Sequence, residues 1–153
     1  MKKTFFKLTL IFVALIGISG CSSDDETDQT TGDIVGIWEN GAVYGTGKYS
    51  GVNASITGDA EGTSEFRADG TYTSIMTGGA LVVTVPTLNY TETTPLEPST
   101  ESGLYTYNTA NDDLTTGDKT SKVVVLNANF MKIKTLINQD GVVGELYTEF
   151  NKR

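Results

Sequence analysis

Along most of the chain, apolar and polar residues alternate one by one. Val52, Ala54 and Ile56 alternate with Asn53, Ser55 and Thr57. Met131, Ile133 and Thr135 alternate with Lys132 and Lys134. Val142, Gly144, Leu146, Thr148 and Phe150 alternate with Val143, Glu145, Tyr147 and Glu149. A period of two turns one set toward a buried sheet face and the other toward water. From Asp33 onward no helical i, i+3, i+4 stripe is sustained. Asp69-Gly70 and Asp140-Gly141 each separate two such runs and predict hairpins. Gly78-Gly79 precedes the run Ala80–Val85, and Asn111-Asp112-Asp113 and Thr116-Gly117-Asp118 bracket a short polar piece. The spacing predicts an all-β domain of about eight to ten short strands, as a sandwich or an up-and-down barrel. Residues 91–101, with Pro95 and Pro98, read as a long exposed connection, because proline cannot serve in a central ladder.

The first twenty residues follow a different pattern. Lys2, Lys3 and Lys7 precede an apolar run from Leu8 to Ile18. The run is shorter than the ~20 apolar residues of a bilayer-spanning helix and fits a signal-peptide core. Ile18-Ser19-Gly20-Cys21 follows and resembles the bacterial lipobox. That resemblance implies that Cys21 carries lipid and becomes the first mature residue, tying the protein to a membrane. Several acyl chains provide lasting anchorage, at about 0.8 kcal/mol per buried CH2. Ser22, Ser23, Asp24, Asp25 and Glu26 resemble the acidic signal that sends lipoproteins to the outer face of the outer membrane. The expected organisation is a signal peptide over 1–20, an acidic flexible tether over 21–32 and one domain over 33–153.

Composition narrows the chemistry. The chain has 153 residues, 11 basic and 19 acidic, with one cysteine and no histidine. Without histidine there is no Ser-His-Asp triad, Cys-His dyad or imidazole zinc site. A single cysteine permits no intramolecular disulfide and no CxxC pair. The net charge of −8 argues against nucleic acid as a partner. Loss of the three lysines before Cys21 takes the mature side-chain charge to −11, partly within the tether.

Gly36-Ile37-Trp38, at the start of the domain, resembles the opening motif of lipocalins and the wider calycin group. The resemblance implies a barrel closed at one end by Trp38, under a cation from the last strand. Arg153 is the expected cation, with Lys152 as the neighbouring choice. Phe66-x-x-Asp69-Gly70-Thr71-Tyr72, Ser102-Gly103-Leu104-Tyr105-Thr106-Tyr107 and the lysine-flanked Met131–Thr135 fit small lipocalin-like domains in order and spacing. The domain, about 120 residues, is shorter than typical lipocalins and has no cysteine pair. The fold expected is a small antiparallel up-and-down lipocalin-like barrel.

The acids on predicted strands, Glu39, Glu65, Glu145 and Glu149, raise the question of paired-carboxylate chemistry. Alternation puts Glu145 and Glu149 outward with Tyr147, and Glu65 opposite Phe66, so no catalytic residue is assigned. Asn108–Asp113 offers oxygen ligands but lacks the EF-hand spacing, so no metal or cofactor is assigned. Gly45-x-Gly47 and Gly78-Gly79 open no helix and read as hairpin or bulge glycines. The expected inward positions Ile56, Phe66, Met131, Ile133 and Leu146 line a ligand cavity or fill a core. The expectation is a non-enzymatic, lipid-anchored surface protein that binds a small apolar or neutral ligand or an envelope protein. The alternatives are a filled structural module and a glycan-binding accessory that uses its tyrosines.

Overall fold

The computed structural model describes residues 32–49, 51–139 and 142–153. Cys21, the export residues Ser22 to Glu26 and the Asp140-Gly141 turn lie outside the described residues. The described residues form nine strands: β1 (Gly36–Tyr49), β2 (Val52–Phe66), β3 (Thr71–Val85), β4 (Tyr90–Pro95), β5 (Ser99–Asn108), β6 (Asp113–Thr116), β7 (Lys119–Leu126), β8 (Phe130–Gln139) and β9 (Val142–Lys152). All ladders are antiparallel. The sheet runs β2-β1-β9-β8-β7-β6-β5-β3-β4, and pairing of β2 with β3 closes it on itself. Eight strands thus form a closed up-and-down barrel of the lipocalin-like kind, and β4 is a ninth strand added alongside β3.

Local chemistry accounts for the turns. At the β2–β3 hairpin, Asp69 accepts hydrogen bonds from the backbone N–H and hydroxyl of Thr71, at 2.9 and 2.6 Å. Those bonds hold its carboxyl below the usual carboxylate range. Gly70 takes the positive φ of 83° that closes the turn. Strands β8 and β9 pair from Phe130↔Asn151 to Gln139↔Val142, as their alternation predicts.

Two expectations need correction. Gly78-Gly79 does not separate strands; of its two readings, hairpin or bulge, the bulge is the one the ladder shows. Both glycines lie inside the 15-residue β3, where the register against β2 shifts between Glu61 and Gly62. The shift is a bulge: one extra residue in β3 turns both Met76 and Leu81 inward. The segment 91–101 is not a long connection either. Tyr90–Pro95 pairs with Val85–Ala80, and Ser99–Leu104 continues down the same strand, pairing with Met76–Thr71. Proline is tolerated because β4 ends the sheet and has β3 as its only ladder partner among the described residues. At the break, the N–H of Leu96 donates to the Gly79 carbonyl at 3.0 Å, and its side chain is buried.

Apolar side chains gather in two clusters. One, toward the β2–β3 turn, contains Ile34, Trp38, Phe66, Tyr72, Leu114, Val123, Leu126, Met131 and Ile133. The other contains Val43, Ile56, Ala60, Leu81, Val83, Leu96 and Leu146.

Candidate functional site

The barrel closes around Trp38, which is 0% exposed. Its indole N–H donates to the Ile34 carbonyl at 2.8 Å, fixing the segment that leads into β1 across the barrel end. The cation over the ring is Lys152, with Nζ 4.9 Å from the centroid; it is not Arg153. Register decides this. Lys152 is the residue directly opposite Trp38 in the β1–β9 ladder, so the two side chains share a face. Arg153 is one residue on and pairs with Glu39 at 3.5 Å, well exposed. Gly36 supports the arrangement: a Cβ there would meet Cε of Lys152 at 2.7 Å, so the bare backbone leaves room for the lysine to reach the indole.

The five expected lining residues all face inward, with exposures from 0 to 8%. They do not line one space together. Phe66, Met131 and Ile133 belong to the cluster at the Trp38 end, and Ile56 and Leu146 to the other.

Between the clusters lies a polar level. Along β1 the inward sequence is Trp38, Asn40, Val43; along β2 it is Phe66, Ser64, Ala60; along β3 it is Tyr72, Ser74, Met76. Along β8 it is Ile133, Thr135, Ile137, and along β9 Phe150, Thr148, Leu146. The Ser64 hydroxyl donates to Oδ1 of Asn40 at 3.2 Å and lies 3.0 Å from the Ser74 hydroxyl. The Ser121 and Thr135 hydroxyls meet at 2.9 Å. The contacts of Ser64, which is buried, offset the cost of burying its hydroxyl, about 1–3 kcal/mol when left unsatisfied.

The belt includes one ionic group. Oε1 of Glu101 on β5 accepts from the Tyr72 hydroxyl at 2.7 Å and from Lys119 Nζ on β7 at 3.4 Å. The lysine side chain is 11% exposed and the glutamate 50%. Burial, reinforced by the Glu101 carboxylate, pushes the Tyr72 hydroxyl up to about 12. Tyr72 therefore remains a donor across the physiological range. These residues border the part of the wall with the fewest ladders. There, among the described residues, β4 pairs only with β3, and the β7–β8 ladder runs only over Lys122–Leu126.

Sequence reasoning missed this belt. A signal was present: Lys119 and Ser121 share the phase of Val123, and Glu101 that of Tyr105 and Tyr107, which pack on the core.

The remaining candidates sit outside the barrel or at its turns. Glu65 pairs with Arg67. Glu145 lies 3.5 Å from Lys134, and Glu149 accepts from the Tyr44 hydroxyl at 2.9 Å. Lys122 reaches Asp113 at 3.2 Å and also the Asn111 carbonyl, so a protein cation already sits on that loop. The tyrosines divide. Tyr72, Tyr105 and Tyr107 pack on the core, whereas Tyr44 and Tyr147 stack on the outer face at 5.6 Å.

The fold and its interior define an antiparallel β-barrel with lipocalin-like architecture. The chain matches no protein-family model, no curated protein and no solved structure.

Proposed function

We propose that the chain is a non-enzymatic binding protein, anchored by lipid on Cys21 in the outer membrane and displayed at the cell surface. In this reading the barrel takes up a small, largely apolar molecule. The observation that carries it is the polar belt across an otherwise apolar interior. A barrel that served only as a scaffold would be at least as stable with apolar residues at those positions, since replacing both partners of a buried hydrogen bond by apolar groups of the same shape is often neutral or stabilising. Apolar, polar and apolar levels in series match a ligand with a polar group on a hydrocarbon body. The test is native mass spectrometry of protein purified from its own host. A co-purifying small molecule at near-stoichiometric level is expected, and its consistent absence would sink the carrier reading.

The packing of the clusters favours a second reading, a filled module that docks onto an envelope protein. Trp38, Leu81, Leu126 and Met131 are all fully inaccessible. Among the described residues the glycan-binding alternative rests on the outer stack of Tyr44 and Tyr147 and on exposed Tyr90, and three inward tyrosines weaken it.

The anchor has its own test. Cys21→Ala is expected to move the protein from the membrane fraction to the soluble fraction. Unchanged fractionation would show that Cys21 is not the attachment point. Replacing Asp24, Asp25 and Glu26 with alanine should then remove protease access on intact cells.

A further inference from the structure

Resting on the barrel's being a binding module, we propose that Tyr72 and Lys119 form a carboxylate site. Glu101 occupies this site and yields it to the carboxylate of the barrel's ligand. Donors and acceptor differ in burial. The donors are fixed and buried. Tyr72 is 5% exposed and stacks on Phe66 at 6.3 Å, and Lys119 lies on an inward position of β7. Thr116 on β6, paired with Lys119 in the β6–β7 ladder, lies beside the Tyr72 hydroxyl and serves as a reporter. The acceptor is half exposed and reaches both donors through the same Oε1 atom.

A buried lysine needs an anionic partner, because an uncompensated buried charge is strongly unfavourable. Glu101 supplies that partner from the thinly laddered part of the wall, where water competes for it. A carboxylate carried on an apolar body would bring its own hydrocarbon into the seam and exclude that water. The same two charge-assisted hydrogen bonds would then act in a medium of lower dielectric, where each is stronger. The ligand class that follows is a small monocarboxylate with a hydrocarbon body, rather than a neutral molecule.

The test uses the full chain in lipid nanodiscs, with hexanoate and 1-hexanol as probes. Binding is read from NMR signals of Tyr72 and Thr116, so that partition into lipid does not register. Hexanoate is expected to shift both signals, and hexanol neither. Glu101→Gln retains an acceptor for Tyr72 and removes the competing charge, so hexanoate should bind it about tenfold more tightly, equivalent to 1.4 kcal/mol. Lys119→Met should abolish the shifts, and Lys119→Arg should retain them. Equal affinity in wild type and Glu101→Gln would overturn the proposal; this comparison stands even if Lys119→Met does not fold. If hexanol shifts inward residues and hexanoate does not, the carboxylate site falls and the binding barrel survives. If neither probe shifts any inward residue, both fall.

Discussion

Trp38→Ala is expected to lower the unfolding free energy by about 3–5 kcal/mol. The indole is among the largest side chains with no exposure, and its loss opens a cavity at the barrel end. Two further contacts go with it. The Ile34 carbonyl loses its indole donor at 2.8 Å, and Lys152 loses the ring beneath its ammonium. Ile34, itself buried, is then held less firmly over the same cluster. Trp38→Phe keeps most of the ring surface and loses the N–H, so its cost should fall nearer to that of one unsatisfied acceptor, about 1–3 kcal/mol. Urea unfolding of the two variants measures the difference. A loss below about 1 kcal/mol for the alanine variant would mean that the ring does not hold the end closed.

Gly62→Ala is the second large effect, and it acts on ring closure rather than on the core. Gly62 has a φ of 138°, a conformation that L side chains rarely adopt. Holding such a conformation costs about 1–3 kcal/mol by itself. A Cβ there would also lie 1.9 Å from the Ile75 carbonyl oxygen, which is backbone and has no rotamer to retreat into. The strands must separate locally, at the bulge of the ladder that closes the barrel. We expect the variant to lose its cooperative thermal transition or to melt far below wild type by circular dichroism. A melting temperature within a few degrees of wild type would show that the ladder yields there at little cost.

Much of this fold is legible in the order of residues. In β8 and β9 the phase never slips, so Met131, Ile133 and Leu146 are inward by counting alone. Counting fails at the bulges. Register shifts at Glu39/Ala42, Glu61/Gly62 and Val123/Val125 each reset which residues face in. A two-residue period carried through them gives the wrong face, and Gly78-Gly79 then looks like a turn. Segment 91–101 misleads for a different reason. Proline is excluded from central ladders, and nothing local tells that, among the described residues, β4 has a partner on one side only.

The site was less legible than the fold. Asn40, Ser64, Ser74, Glu101, Lys119, Ser121 and Thr135 come from six different strands. Each by itself is a polar residue in a polar-rich strand. They form one level only after the ladders fix the stagger of neighbouring strands. The choice of Lys152 over Arg153 above Trp38 has the same origin, since adjacent residues point to opposite faces and the β1–β9 register selects between them.

By itself, then, the sequence determined the class of the domain, its hairpin at Asp69-Gly70 and most of its apolar inward positions. These depend on interactions between residues close in the chain: side-chain period, turn conformation and strand propensity. Tertiary structure alone decided ring closure, the cation over Trp38 and the ionic belt of Tyr72, Glu101 and Lys119. Those depend on which strands become neighbours and with what offset, and that is settled by packing the whole barrel at once.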